Sequence, residues 1–124
     1  MVDENNRSRK IYKITPQGLR KLRSEVTNCL KNPVKQKSTL ELGLANLPVL
    51  SKSEIITSLN RYLEELSSKK QFFEERIRLF TELGNDLTVL LFERPYRLLL
   101  AETEWLLELV KRVESDKIRL EIKD

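Results

Sequence analysis

The sequence contains no histidine and only one cysteine, Cys29, among its 124 residues. Histidine is the commonest general base and the commonest metal ligand, so its absence argues against most hydrolytic and metal chemistry. A single cysteine excludes an internal disulfide and a thiolate zinc cluster. We therefore expect a reducing, cytoplasmic setting, a chain without cofactor or metal, and no enzymatic activity.

Glycine, proline and aromatic residues are also scarce, with three glycines, four prolines and 6% aromatic residues. The longest apolar runs fall far short of the roughly 20 residues that span a bilayer. The N-terminus is polar and has no apolar core typical of a signal peptide. Nothing in the sequence therefore indicates a membrane partner or export.

Charged residues make up 34% of the chain, which has a formal net charge of +4. Together with the low glycine and proline content, this composition favours long amphipathic helices. Most of the charges are expected on solvated helix faces, although the positive balance permits an anionic partner. Paired glutamates such as Glu64 and Glu65 lie among lysines and arginines, so we interpret them as helix-surface ion pairs and not as catalytic acids.

Apolar spacing predicts a mainly all-α fold. Thr15 and Pro16 are typical of a helix start, and a helix is expected from there to about Leu30, ended by Asn32-Pro33. A short helix capped by Ser38 or Thr39 is expected to reach Asn46, with an apolar inner face. That inner face consists of Leu40, Leu44 and Leu47.

The next helix, capped by Ser51 or Ser53, has the most regular apolar repeat in the chain. The residues of this repeat are Ile56, Leu59, Leu63, Leu66, Phe73, Ile77 and Phe80. Gly84 and the following Asn85 or Asp86 are expected to end it and to start the last helix. These two long helices form the predicted helical hairpin.

Residues 87–113 form the last helix, which carries apolar residues on most of its faces. A helix of this kind in a short chain needs cover on two sides, so we expect one side to pack within the chain and the other on a second copy. The predicted dimer-interface residues are Leu91, Leu98, Leu99, Trp105, Leu106 and Leu109. Pro95 lies inside this segment, and we expect either a kink near residues 91–94 or a break into two helices.

Two short segments alternate charged and apolar residues. Residues 9–14 predict a short strand, and residues 117–123 are compatible with an edge strand or an ordered tail, of which we favour the tail. Neither segment has an obvious partner strand nearby in the sequence.

Residues 9–22, RKIYKITPQGLRKL, resemble the end of the wing and the next helix of PadR-family transcriptional regulators. The matching residues are Arg9, Lys10, Tyr12, Ile14, Thr15, Gly18 and Leu22. MarR-type regulators end their wing in a similar way, and what favours PadR is the pair of long helices that follows, the last with Trp105-Leu106.

The resemblance implies a remnant of a winged-helix wing in residues 1–15 and a homodimeric, effector-responsive helical domain in residues 16–124. A complete member has about 70 further residues before this point, including the DNA-recognition helix. We therefore expect a truncated form, a separately expressed piece or a gene remnant. A stand-alone helical protein-interaction module without DNA binding is the alternative interpretation.

Two sets of candidate site residues follow from these expectations. The wing residues Arg7, Arg9, Lys10 and Lys13 form a basic cluster suited to weak phosphate contacts. Tyr96, Arg97 and Trp105 are candidate contacts for a small, flat aromatic effector. For Trp105 the simpler interpretation is a large packing residue at a helix seam.

Overall fold

The computed structural model describes residues 13–33 and 38–120 of the chain. All the regular structure in these ranges is helical. The helices are α1 (Pro16–Lys31), α2 (Thr39–Ala45), a 3-10 helix (Leu47–Val49), α3 (Lys52–Glu82) and α4 (Asp86–Glu114). The chain divides into two compact units at Ser38, so that α1 lies in the first unit and α2 to α4 lie in the second.

Helix α1 begins as the sequence predicts. The Thr15 hydroxyl accepts a hydrogen bond from the Gly18 amide at 3.0 Å, and Pro16 takes the first helical position, where no donor is needed. A Cβ atom on Gly18 would lie 3.1 Å from Thr15 Oγ1 and 3.2 Å from a side-chain carbon of Ile14. The spacing of Thr15 and Gly18 therefore has a local explanation in the geometry of this cap.

Helix α3 begins with a reciprocal capping box. Ser51 Oγ accepts from the Glu54 amide at 3.1 Å, and the Ser51 amide donates to Glu54 Oε1 at 2.9 Å. The Ser51 backbone amide, followed by the Ser51 side chain, holds the pKa of the Glu54 carboxyl below its ordinary value. Of the two predicted caps, Ser51 is the one that the structure uses.

The connection between α3 and α4 is a tight turn. Gly84 has a φ of 70°, a left-handed conformation that glycine adopts without a steric penalty. The next residue, Asn85, accepts a hydrogen bond from the Thr88 amide at 3.1 Å and caps α4. The predicted end of α3 and the predicted start of α4 are both confirmed. The turn returns the chain along α3.

Helix α4 is continuous through Pro95. Of the two expected alternatives, a kink or a break into two helices, the break is therefore wrong. Proline at this position leaves the carbonyl of Leu91 without its usual amide donor, but this is one hydrogen bond of a 29-residue helix whose inner face packs against α3. The helix can therefore continue at a moderate cost.

The core of the second unit lies along the seam between α3 and α4. Its buried side chains are Leu47, Ile55, Leu59, Leu66, Leu99, Leu106, Leu109, Val110 and Val113. Leu40 and Leu44 of α2 pack against this core, as their spacing predicts. The predicted repeat places Ile56 in the core, but Ile55 is buried and Ile56 is only half-buried. At the N-terminal end of α3, the buried face is therefore centred one residue earlier than predicted.

The two predicted strand segments lie partly outside the described residues. Of residues 9–14, only Lys13 and Ile14 are described, and they are not in a strand. Residues 117–120 also have no regular structure, and residues 121–123 lie outside the described range. Ile118 and Leu120 nevertheless pack against the core, as an ordered tail would.

Candidate interaction surface on helix α4

The inner face of α4 holds the hairpin together. Leu106 is fully buried and Leu109 is 2% exposed, and both belong to the core shared with α3. Leu99, at 7% exposed, belongs to the same core. The structure thus places Leu99, Leu106 and Leu109, three of the six predicted dimer-interface residues, inside the chain's own core. They can reach a partner only if the hairpin opens.

The other three predicted interface residues lie on a different face of α4, which we call the outer stripe. Successive members of this stripe are alternately four and three residues apart, the repeat of a coiled-coil seam. The outer stripe consists of Leu87, Leu91, Arg94, Leu98, Ala101, Trp105 and Glu108, all of which are exposed. The side chains of Leu87, Leu91 and Leu98 are 70%, 68% and 54% exposed. The described part of the chain therefore leaves uncovered a long, mainly apolar strip that two charged residues, Arg94 and Glu108, interrupt.

Four members of this surface, Leu87, Arg94, Ala101 and Glu108, are not among the six predicted interface residues. Arg94, Ala101 and Glu108 are charged or small, so an apolar pattern does not include them. Their signal in the sequence is the four-three spacing itself, which continues through polar positions.

Two tyrosines form hydrogen bonds across the hairpin. Tyr62 Oη donates to Glu102 Oε1 at 3.0 Å, and Tyr96 Oη donates to Glu74 Oε2 at 2.8 Å. Burial, followed by the hydrogen bond to Glu102, raises the pKa of Tyr62. The hydrogen bond to Glu74 is the main cause that raises the pKa of Tyr96. Both contacts link α3 to α4 and fix how α4 is rotated about its own axis.

A cluster of phenylalanines holds the two helices together near the turn. Phe80 and Phe92 stack with ring centroids 5.9 Å apart, and Phe73 lies 6.3 Å from Phe92. Such aromatic pairs add to the stability that their buried area gives. The inner face of α4 is therefore fixed from the turn to the far end of the hairpin.

The three candidate effector contacts are not brought together. The Tyr96 hydroxyl is bound to Glu74, and Arg97 pairs with Glu93 at 3.2 Å on its own helix. Trp105, nine residues after Tyr96, lines an open groove of about 580 Å³ on the surface of α4. The other residues of this groove are Ala101, Glu104, Leu107, Glu108 and Lys111. The groove is shallow and belongs to one helix, which suits a protein surface better than an enclosed small molecule.

A smaller apolar cleft of about 160 Å³ lies where α2 and the 3-10 helix cover the start of α3. The sequence pattern did not predict this cleft. Gly43 lines it, and a Cβ atom there would have no neighbour within 4 Å. Its walls offer few polar groups, so nothing in the cleft selects a particular ligand.

Of the four candidate DNA contacts, only Lys13 is described, and it is exposed just before α1. Arg7, Arg9 and Lys10 lie outside the described residues. Within residues 13–33 and 38–120, no grouping of histidine, cysteine, aspartate or glutamate has the arrangement to hold a metal ion. None of the helices in the same ranges combines the length and apolarity required to cross a membrane.

Comparison with known proteins finds no matching family model, no matching curated protein and no matching solved structure.

Proposed function

We propose that this chain is a non-catalytic helical association domain that forms a homodimer through the outer stripe of α4. The observation that carries the proposal is the exposure of this stripe, since a coiled-coil repeat along most of a long helix is left uncovered by the described part of the chain. The resemblance of residues 9–22 supports a more specific role, the dimerisation and effector region of a PadR-like transcriptional regulator.

The length of the outer stripe is suited to stable association, because residues 87–108 extend about 32 Å along α4 at about 1.5 Å per residue. A specific interface typically buries about 800 Å² on each partner. If most of that area is apolar, its burial contributes on the order of 20 kcal/mol at about 25 cal/mol per Å² before the costs of association and ordering are subtracted.

The direct test is the mass in solution, measured by light scattering over a wide dilution series. A mass of two chains that persists at low micromolar concentration is the expected result. A mass of one chain at every concentration would contradict homodimerisation and would indicate that the stripe binds a different protein. That outcome would favour the stand-alone interaction module.

The DNA-related part of the proposal is tested separately, by binding to duplex DNA at several salt concentrations. The described residues contain helices and no strand, so they do not form a winged-helix domain that could present a recognition helix. We therefore expect only weak binding that is indifferent to sequence and declines steeply with salt. Tight, sequence-specific binding would show that the chain reads bases by a route this proposal does not include.

A further inference from the structure

The charges on and beside the outer stripe change sign along α4. From Leu91 to Glu108, Arg94 and Arg97 precede Ala101 and Glu104 and Glu108 follow it, while Lys111 lies beyond the end of the stripe. Among the described residues, neither Arg94 nor Glu104 forms an ion pair, and both are exposed. A surface with one sign of charge on each side of a small residue is complementary to itself when a second copy runs in the opposite direction.

We propose that two copies of α4 pack antiparallel, with the two-fold axis between Leu98 and Ala101. This inference rests on the proposed homodimer and assigns its register and direction. Each Leu98 then packs over the small Ala101 of the second copy, so that a large residue faces a small one in both symmetry-related layers. Ala101 and Trp105 already line a groove on α4 that can receive the incoming side chain.

The neighbouring layers are complementary in the same register. Each Arg94 lies against the Trp105 of the second copy, where a guanidinium can pack on the face of an indole ring. Beside the seam, each Arg97, whose guanidinium contacts Glu93 of its own helix at 3.2 Å, also lies near the Glu104 of the second copy, which adds two opposite-charge contacts per dimer. At the ends, Leu91 meets the aliphatic part of Glu108, whose carboxylate is directed towards Arg112 of its own helix at 3.9 Å.

A parallel arrangement of the same stripe is less favourable. In the core of a parallel pair, each residue of the stripe faces the identical residue of the other copy. Arg94 would then face a second Arg94, and Glu108 would face a second Glu108, which places like charges opposite each other in a desolvated seam. The sequence of charges therefore selects the antiparallel direction.

The first test uses disulfide formation in a Cys29→Ser background, because Cys29 is exposed. The double variant Leu98→Cys/Ala101→Cys is expected to form a covalent dimer on mild oxidation, since its cysteines face each other across the axis. The matched control is Leu87→Cys in the same background. In the antiparallel register, residue 87 of one copy is remote from residue 87 of the second copy. This control is therefore expected to remain uncrosslinked, whereas a parallel dimer would crosslink it.

The second test exchanges the flanking charges. Arg97→Glu and Glu104→Arg each place like charges opposite each other in two pairs and are expected to weaken the dimer roughly tenfold. The double variant Arg97→Glu/Glu104→Arg restores opposite charges and is expected to recover the original dissociation constant. Arg78→Glu, an exposed position on α3, is the control for the change in net charge and is expected to have no effect.

The outcomes separate this register from the proposed homodimer. A two-chain mass with crosslinking at residue 87 would overturn the register and leave the homodimer standing, whatever residues 98 and 101 do, because a parallel pair would crosslink those positions as well. The register would also be overturned, and the homodimer kept, if the protein is a dimer but the double variant Arg97→Glu/Glu104→Arg does not recover the original dissociation constant. A one-chain mass for the unmodified protein would overturn both. Helicity by circular dichroism confirms for each variant that the hairpin remains folded.

Discussion

The inner and outer faces of α4 are alike in sequence and unlike in structure. Both are rich in leucine, and both repeat at intervals of three and four residues. The inner face buries Leu99 and Leu106 against α3, whereas Leu91 and Leu98 of the outer stripe remain exposed. An apolar repeat therefore indicates that a helix face needs a partner but does not identify the partner.

The neighbouring residues Leu106 and Leu107 give the largest expected contrast between the two faces. Leu106→Ala is expected to lower the free energy of unfolding by about 2–5 kcal/mol, because it leaves a cavity in the core. Leu107 is 50% exposed and lies outside the core, so Leu107→Ala is expected to change the free energy of unfolding by less than about 0.5 kcal/mol. Urea unfolding of both variants measures the difference. Equal losses would contradict the assignment of Leu106 to the inner face.

Charged substitutions at the neighbouring positions Leu98 and Leu99 are expected to distinguish an effect on dimer association from an effect on folding. Leu98→Asp is expected to raise the dimer dissociation constant at least about a hundredfold, because it places a charge in the seam next to the axis, while the hairpin stays helical. Leu99→Asp places the charge in the chain's own core and is expected to unfold it. Light scattering together with circular dichroism distinguishes the two results. A Leu98→Asp dimer of unchanged affinity would place the interface elsewhere.

Pro95 tests how much free energy a proline inside the continuous helix α4 costs. Pro95→Ala supplies the missing amide donor and removes the steric conflict with the preceding turn. We expect the free energy of unfolding to rise by about 1–3 kcal/mol, somewhat less than the full penalty of proline inside a helix. Thermal unfolding at constant protein concentration provides the measurement. A loss of stability would mean that the proline ring contributes packing that alanine cannot replace.

The smallest expected effect concerns the hydrogen bond between Tyr62 and Glu102. Tyr62→Phe is expected to cost about 1 kcal/mol at neutral pH. The pKa of Tyr62 is raised in the folded state, so its contribution to stability is complete below the unfolded pKa of about 10 and is lost as pH rises through the higher folded pKa. The difference between the original chain and Tyr62→Phe is therefore expected to shrink only in strongly alkaline solution. A difference that disappears near neutrality would identify another titrating group.

The sequence predicted the helix boundaries well because their signals are local. Thr15, Ser51 and Asn85 each bond to an amide three residues later, and Gly84 adopts a conformation that few other residues tolerate. These interactions depend on a few consecutive residues. For the same reason they are readable from the chain without any knowledge of its packing.

The candidate site was predicted less completely. The sequence indicated that the last helix has two apolar sides, but its six proposed interface residues mixed the two. Leu91, Leu98 and Trp105 are exposed, and the other three are in the core. Among so many leucines the spacing of the last helix is compatible with several rotations about its axis, and only contacts with α3 select one of them.

By itself, the sequence determined a mainly helical fold, the ends of the described helices and the existence of a long hairpin. Helix caps, turns and apolar periodicity are properties of short segments, and their free energies arise from neighbouring residues. The tertiary structure decided which leucines of α4 are buried, because Tyr62, Tyr96 and the phenylalanine cluster fix its rotation against α3. It also left the outer stripe exposed, since one hairpin partner can cover only one side of a helix.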